Sequence, residues 1–334
     1  MNVPTKRKNI RNLAILICVI AVIAGAFLTF HSLQERHRWA GHESGTGPEE
    51  RPEYAGLKPR KEIETFLVIG LDKFEADPRQ IGYLNDRQAD FLTVMVLDKS
   101  ENICHALQLN RDTMTEIRRL GIGGKEAGTF VGQLALAHTY GSGGSDSCVN
   151  TVRAVSQLLD GVRIDHYVSM TMDAVPVLND LVGGVTITVE EDFSDENLSL
   201  RQGETVCFRG DQALRYVRAR GGLEDSSNLA RMERQQQYMR AFYHRFTDAV
   251  RADEDFFADA WAQAGEYIQT DCTSDQLQQI IETADDLKTG QIYTLKGEAK
   301  TGEEFMEFYP DEAAKKEVIK DLFSNRLTGK SRKI

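Results

Sequence analysis

The chain contains no Cys-x-x-Cys and no His-x-x-x-His pair, so the short spacings that usually encode a structural or catalytic zinc site are missing. Its glycine string at Gly121, Gly123, Gly124 and Gly128 lacks the Gly-Lys-Ser/Thr ending of a phosphate-binding loop, which sets aside that class of nucleotide hydrolase. Positive charge is in deficit: 40 Lys and Arg stand against 51 Asp and Glu, a net charge of -11. Nucleic-acid binding rests on a broad basic field, so no nucleic-acid partner is expected. Only five cysteines occur, and one of them, Cys18, lies in an apolar run near the N-terminus. The other four, Cys104, Cys148, Cys207 and Cys272, allow three full pairings, among which the sequence makes no choice.

What is present is ordinary globular composition, 41% hydrophobic and 27% charged over 334 residues. The one long apolar run, Leu13 to Phe30, is 18 residues without a charge. As a helix rising roughly 1.5 Å per residue it measures about 27 Å, enough to span a bilayer. Lys6, Arg7, Lys8 and Arg11 precede it, so the expected topology is a cytoplasmic tail (1–12), a transmembrane helix (13–30) and an extracellular remainder. Ala24-Gly25-Ala26 also fits a signal-peptidase site, but the run continues through Phe30, which favours an uncleaved single-pass anchor in the cell membrane. Residues 31–62, rich in Gly, Pro and charge, read as a linker, and 63–328 as the folded domain.

Phe66 to Asp72 is a short apolar run ending in an acid, the pattern of a buried strand with Asp72 at its exit. Phe91 to Leu97 reads as a second strand with Asp90 at its entrance, and Ile103 to Leu109 as a third with Arg111 just beyond. If the three form a meander, Asp72, Asp90 and Arg111 meet at one edge. Two carboxylates brought close repel unless a proton or cation lies between them, and oxygen-only ligands suit magnesium beside phosphate. The plainer alternative is that both acids simply end strands as turn residues or caps. Further on, helices are expected at Gly132 to Tyr140, Ser147 to Leu159, Asp173 to Val182, Asp253 to Ile268, Ser274 to Asp286 and Asp311 to Phe323. Strands are expected at His166 to Met170, Val185 to Val189 and Ile292 to Leu295. The fold class is therefore α/β, a mixed central sheet flanked by helices.

Arginines gather between Val217 and Tyr238. Asp211 to Arg220 reads as a short helix that runs out at Gly221-Gly222, and Ser226, Ser227 or Asn228 caps a second helix reaching about Phe246. On that helix Leu229, Met232, Met239, Tyr243 and Phe246 mark a core face, with Arg231, Arg234, Gln235 and Tyr238 as a polar stripe on its rim. Guanidinium forks hold phosphate oxygens in pairs, so Arg218 and Arg220 facing Arg231 make a candidate clamp for a discrete phosphate group. The bland alternative is a solvated, arginine-rich helix surface.

Eight segments carry a family likeness: Phe66-Leu-Val-Ile-Gly-Leu-Asp72, Gln88-Ala-Asp-Phe-Leu-Thr-Val94, Asn110-Arg-Asp-Thr113, Ile164-Asp-His-Tyr167, Leu178-Asn-Asp-Leu-Val-Gly-Gly-Val185, Gly210-Asp-Gln-Ala-Leu214, Val217-Arg-Ala-Arg220 and Arg231-Met-Glu-Arg-Gln235. Together they resemble the LytR-CpsA-Psr family of bacterial envelope proteins. The resemblance implies an α/β domain that transfers a glycopolymer from a polyprenyl-pyrophosphate carrier to peptidoglycan through a phosphodiester, typically at a muramic-acid hydroxyl, releasing polyprenyl phosphate. It further implies that Asp72 and Asp90 hold Mg2+ or Mn2+, and that Asp90 and Arg111 serve catalysis. Arg218, Arg220, Arg231 and Gln235 would bind the remaining pyrophosphate oxygens.

Three departures stand out. Gln88-Ala89-Asp90 replaces the family's Arg-Ser-Asp, leaving Arg87, one step earlier, as the arginine assigned there to pyrophosphate. Asn110 replaces a frequent proline, and Asn228 a frequent acid, so a carboxylate role at the latter passes to Asp225 or is absent. Two other readings of the same residues are a pyrophosphatase acting on the lipid carrier and a non-catalytic envelope scaffold that captures lipid phosphates.

Overall fold

A computed structural model describes residues 59–60, 62–72, 87–121, 125–193, 200–219, 228–253, 255–273, 276, 287–303 and 305–324. The expected cytoplasmic tail, transmembrane helix and most of the linker therefore lie outside the described residues, as do Cys18, most of the expected helix at Ser274 to Asp286 and the C-terminal end. No helix among the described residues is long and apolar enough to cross a membrane.

Strands β1 (Ile63–Leu71), β2 (Ala89–Asp98) and β3 (Ile103–Leu109) form the expected antiparallel meander. Strand β6 (His166–Thr171) runs parallel to β1, β9 (Ile268–Thr270) pairs antiparallel with β6, and β10 (Lys288–Thr294) runs parallel to β3. The result is a six-stranded mixed sheet in the order β10-β3-β2-β1-β6-β9. Both faces are covered, which is why β1 and β2 read as continuous apolar runs rather than alternating ones. Leu67, Ile69, Val94 and Val96 point into a layer that includes Val155 and Leu158 of helix α1 (Ser145–Leu158) and Leu322 and Phe323 of helix α6 (Glu312–Phe323). Phe66, Val68, Met95 and Ala106 face the other way, toward Met239 of helix α4 (Asn228–Ala252) and Trp261 of helix α5 (Phe256–Ala264). A further core joins α2 (Ala174–Leu181), α3 (Asp211–Arg218), α4 and the hairpin of β7 (Val185–Thr188) with β8 (Thr205–Phe208).

Several expected elements differ. Gly132 to Tyr140 is not one helix: Gly132 and Gln133 end β5 (Glu126–Gln133), which pairs with β4 (Met114–Leu120), and only Leu134–Thr139 turns, as a 3-10 helix. The β5 ladder claims the backbone groups that a helix would have needed. Asp253 to Ile268 likewise breaks, because Ile268 is drawn into the sheet opposite Met170. Val185 to Val189 pairs with β8 outside the main sheet. Helix α4 continues to Ala252, beyond the expected stop near Phe246. A hairpin of β11 (Gly297–Thr301) and β12 (Met306–Pro310) precedes α6, whose N-cap is Asp311, its carboxylate accepting from Ala314 N at 2.7 Å.

At the pole where β1 begins, the entering chain is tied to the leaving one. Arg60 N donates to Phe323 O at 2.9 Å. The Arg60 guanidinium, buried, binds Asp98 and the carbonyls of Asp321 (2.7 Å) and Ser324 (2.8 Å). Burial alone would raise the Asp98 carboxyl, but bonds from Ser100, Glu101 N and Arg60 outweigh it and hold the pKa below the ordinary value.

Candidate active site

The opposite pole of the sheet gathers the acids and arginines. Asp72 N donates to Gln88 O at 3.1 Å, so the exit of β1 and the entrance of β2 face each other. Pairing goes from Gly70 with Phe91 directly to Leu71 with Ala89, a bulge that leaves Asp90 as the extra residue. Bulges re-aim a side chain, and here the re-aimed group is a carboxylate. Gly70 permits it: a Cβ there would stand 2.8 Å from Phe91 Cβ.

Arg111 follows β3 in a tight turn. Asn110 organises that turn by accepting Asp112 N on its side chain at 2.9 Å and the Thr113 hydroxyl on its carbonyl at 2.6 Å. This does locally what a proline would have done by restricting φ. The Arg111 guanidinium donates to Asp90 Oδ1 and Gln88 Oε1, and its Nε lies 3.5 Å from Asp112 Oδ1. Gln88, in the position where the resembling family has arginine, thus becomes a partner of Arg111. Sequence reading passed over it because a glutamine amide announces no charge.

Arg231 comes from α4, with its Nη1 3.6 Å from Asp90 Oδ2; the two side chains are 5% and 6% exposed. Gln235, one turn on, is buried with its Oε1 unbonded. The α4 stripe does not lie on the rim as expected. Arg231, Arg234, Gln235 and Tyr238 are all buried, and the seam continues through Phe242 and Phe246, whose rings stack in series. Met239 and Tyr243 flank it, half-buried. The arginines tolerate this because each meets acceptors. Arg234 donates to Glu191 and to Ala219 O, at the C-cap of α3, and lies over the Phe193 ring.

Arg218, at the end of α3, pairs with Asp72 at 2.9 Å, both side chains 40% exposed. Two carboxylates from adjacent strands thus meet three guanidiniums from three other segments at one end of the sheet. Arg87 points elsewhere: its Nη1 reaches Gly143 O at 3.4 Å. Arg220, Gly221, Gly222, Asp225, Ser226 and Ser227 lie outside the described residues, as does the side chain of Asn228.

One support was not foreseen. His138, fully buried, holds Arg87 O with Nδ1 at 2.9 Å, while Nε2 lies 3.9 Å from Cys148 Sγ. Burial pushes its pKa down to about 4, against a smaller opposing effect of the Arg87 carbonyl. A neutral imidazole therefore fixes the approach to β2 two residues before Ala89. Cys104, Cys148 and Cys272 are buried free thiols and Cys207 an exposed one. Burial pushes the Cys148 thiol up to about 12.

The donor set suits a hard divalent ion. Asp72 and Asp90 offer only oxygen, and the exposure of Asp72 leaves room for phosphate or water on the remaining positions.

A family model described as the LytR_cpsA_psr family matches residues 35–323. The chain is 29% identical over 226 residues to a polyisoprenyl-teichoic acid–peptidoglycan teichoic acid transferase TagU from Halalkalibacterium halodurans, covering 66% of each. It is 25% identical over 285 residues to the TagU of Bacillus subtilis, covering 84% of this chain and 83% of that one. The crystal structure of B. subtilis TagV superposes with a TM-score of 0.56 at 23% identity, over 79% of this chain and 96% of that chain.

Proposed function

This chain belongs to the LytR_cpsA_psr family, and from that membership we propose that it is a membrane-anchored phosphotransferase that moves a glycopolymer from a polyprenyl-pyrophosphate carrier to peptidoglycan. The observation that carries the reading is the meeting of Asp72, Asp90, Arg111, Arg218 and Arg231 at one sheet end. The relatives named as teichoic acid–peptidoglycan transferases support it. The anchor is the apolar run at residues 13–30, with the N-terminus cytoplasmic and the domain, 63–328, outside the cell.

In the reaction, the hydroxyl oxygen of the peptidoglycan acceptor attacks the phosphorus that bears the glycopolymer. The bond from that phosphorus to the bridging oxygen breaks, and polyprenyl phosphate leaves with the electron pair. Arg111 steadies the reacting phosphate, and the Asp90 carboxylate takes up the hydroxyl proton. Arg218, Arg220, Arg231 and Gln235 bind the other diphosphate oxygens. Catalysis of this kind is mostly positioning and charge neutralisation. Mg2+, held by Asp72 and Asp90, supplies part of that neutralisation when bound.

The test is transfer from purified lipid-linked glycopolymer to peptidoglycan, with and without Mg2+, in wild type and Arg111→Ala. The expected result is a wall-linked product and released polyprenyl phosphate, both strongly reduced in the variant and by chelation. Free glycopolymer phosphate without wall linkage would mean hydrolysis, and co-purifying lipid without turnover would mean a scaffold. Either outcome overturns the reading, as would an unimpaired Arg111→Ala.

A further inference from the structure

The pole of the sheet away from the arginines holds a second cluster. Strands β6 and β9 pair with Val168 opposite Thr270, so the first residue of β6, His166, and the residues just past β9, Asp271 and Cys272, reach the same end. Phe66 lies beside His166 and Leu71 beside Thr171, which separates this end from the Asp72 end by roughly 17 Å of strand.

An imidazole nitrogen, a carboxylate oxygen and a sulfur from these residues lie within 4.8 Å of one another. Asp271 stands between the other two, its Oδ2 3.7 Å from His166 Nδ1 and its Oδ1 3.8 Å from Cys272 Sγ. The Cys272 thiol donates weakly to Asp271, but the imidazole approach is not a hydrogen bond: 3.7 Å is too long, and His166 Nδ1 is buried with no hydrogen-bond partner. A buried, unmatched ring nitrogen aimed at a carboxylate and a thiol calls for something between them.

The surroundings hold the donors in place. Phe66 stacks on the imidazole at 5.2 Å and 25°, setting the ring plane. Nε2 faces Glu64 Oε1 at 4.0 Å, and Glu64 is itself held by Lys99 at 2.9 Å. Tyr167 N donates to Asp271 Oδ1 at 2.9 Å. The Thr270 hydroxyl donates to Tyr167 O at 2.7 Å and accepts from Cys272 N at 3.1 Å. A carboxylate behind the free nitrogen of a ligating imidazole is the usual outer partner of a zinc histidine.

We propose that His166, Asp271 and Cys272 bind a zinc-type divalent cation through Nδ1, a carboxylate oxygen and Sγ, with Glu64 behind the imidazole and one position left to water. Nitrogen, sulfur and oxygen ligands at about 2.0–2.3 Å stand roughly 3.3–3.7 Å apart in a tetrahedron, so a contraction of about one ångström closes the cluster. The ion staples the three-residue edge strand β9 to the start of β6. The sequence conceals the site because its donors are far apart in the chain, outside any short metal-binding spacing. It is separate from the transferase site, whose acids offer oxygen only.

The test is titration of the full-length chain, untagged, reduced and in detergent, with Co2+ in the presence of excess Mg2+. One ion per chain with thiolate-to-cobalt absorption is expected, displaced by Zn2+, together with a rise in Tm on adding Zn2+. Cys272→Ser should remove the absorption, and Cys207→Ser, at the exposed thiol, should leave it intact. Glu64→Gln should keep the absorption while weakening the affinity by about 10- to 100-fold. Absence of thiolate absorption in the wild type overturns the proposal, as does absorption that survives Cys272→Ser or disappears with Cys207→Ser.

Discussion

Asp72 and Asp90 are the same residue type at the same end of the sheet, yet their surroundings differ. Asp90 is 6% exposed and shared by two guanidiniums, that of Arg231 buried and that of Arg111 11% exposed. Asp72 is 40% exposed and meets Arg218, equally exposed. The buried Asp90 therefore belongs to the framework of the site, and Asp72 to its adjustable half. A buried ion pair that loses one partner strands a charge in low dielectric, whereas an exposed pair exchanges its partner for water, cation or phosphate at small cost.

The comparison is sharpest at Asp90. Asp90→Ala takes the shared carboxylate from Arg111 and from the buried Arg231, and urea unfolding should show a loss of about 3–5 kcal/mol together with loss of transfer. A stability change no larger than that of Asp72→Ala would erase the distinction. Arg111→Ala should remove about 2–4 kcal/mol of transition-state stabilisation, roughly 30- to 1000-fold in transfer rate under single-turnover conditions. His138 tests the frame behind the buried half through pH. Its folded pKa, about 4, lies below the ordinary 6.5, so its contribution is complete above 6.5 and is lost as the pH falls toward 4. The loss amounts to up to roughly 3 kcal/mol. Unfolding midpoints at pH 7 and pH 5 should therefore diverge less in His138→Gln than in wild type, and equal divergence would remove His138 from that role. Arg218→Ala, in the exposed half, should move stability by less than about 1 kcal/mol while slowing transfer about tenfold or more. A large stability loss there would show the exposed half to be framework as well.

The meander and the meeting of Asp72, Asp90 and Arg111 were legible because apolar strands buried on both faces leave their polar ends conspicuous. The hairpins were not. Strand β5 is glycine-containing and exposed along most of its length, and β8 is four residues long, so neither bears a hydrophobic period. The bulge at Asp90 was invisible for another reason: it exists only relative to the pairing of Gly70 and Leu71. On α4, periodicity marked Met239 and Tyr243 as core, while the fold buries Arg231 and Arg234 more deeply. Hydropathy penalises arginine in isolation, and the acceptors that reverse the penalty come from β2, Glu191 and the end of α3. Gln88 and His138 escaped notice because their roles depend on neighbours that only the folded chain supplies.

The clasp at Arg60 bears on how the domain takes mechanical load. It joins the first described residues to the end of α6, and β1, which follows, has hydrogen-bonded neighbours on both sides. A tug along β1 from the preceding chain would load two ladders in shear at once, with no edge strand to unzip. Asp72 and Asp90 lie roughly 30 Å farther along, at the far end of β1, so the two carboxylates would keep their alignment while the preceding chain is under tension.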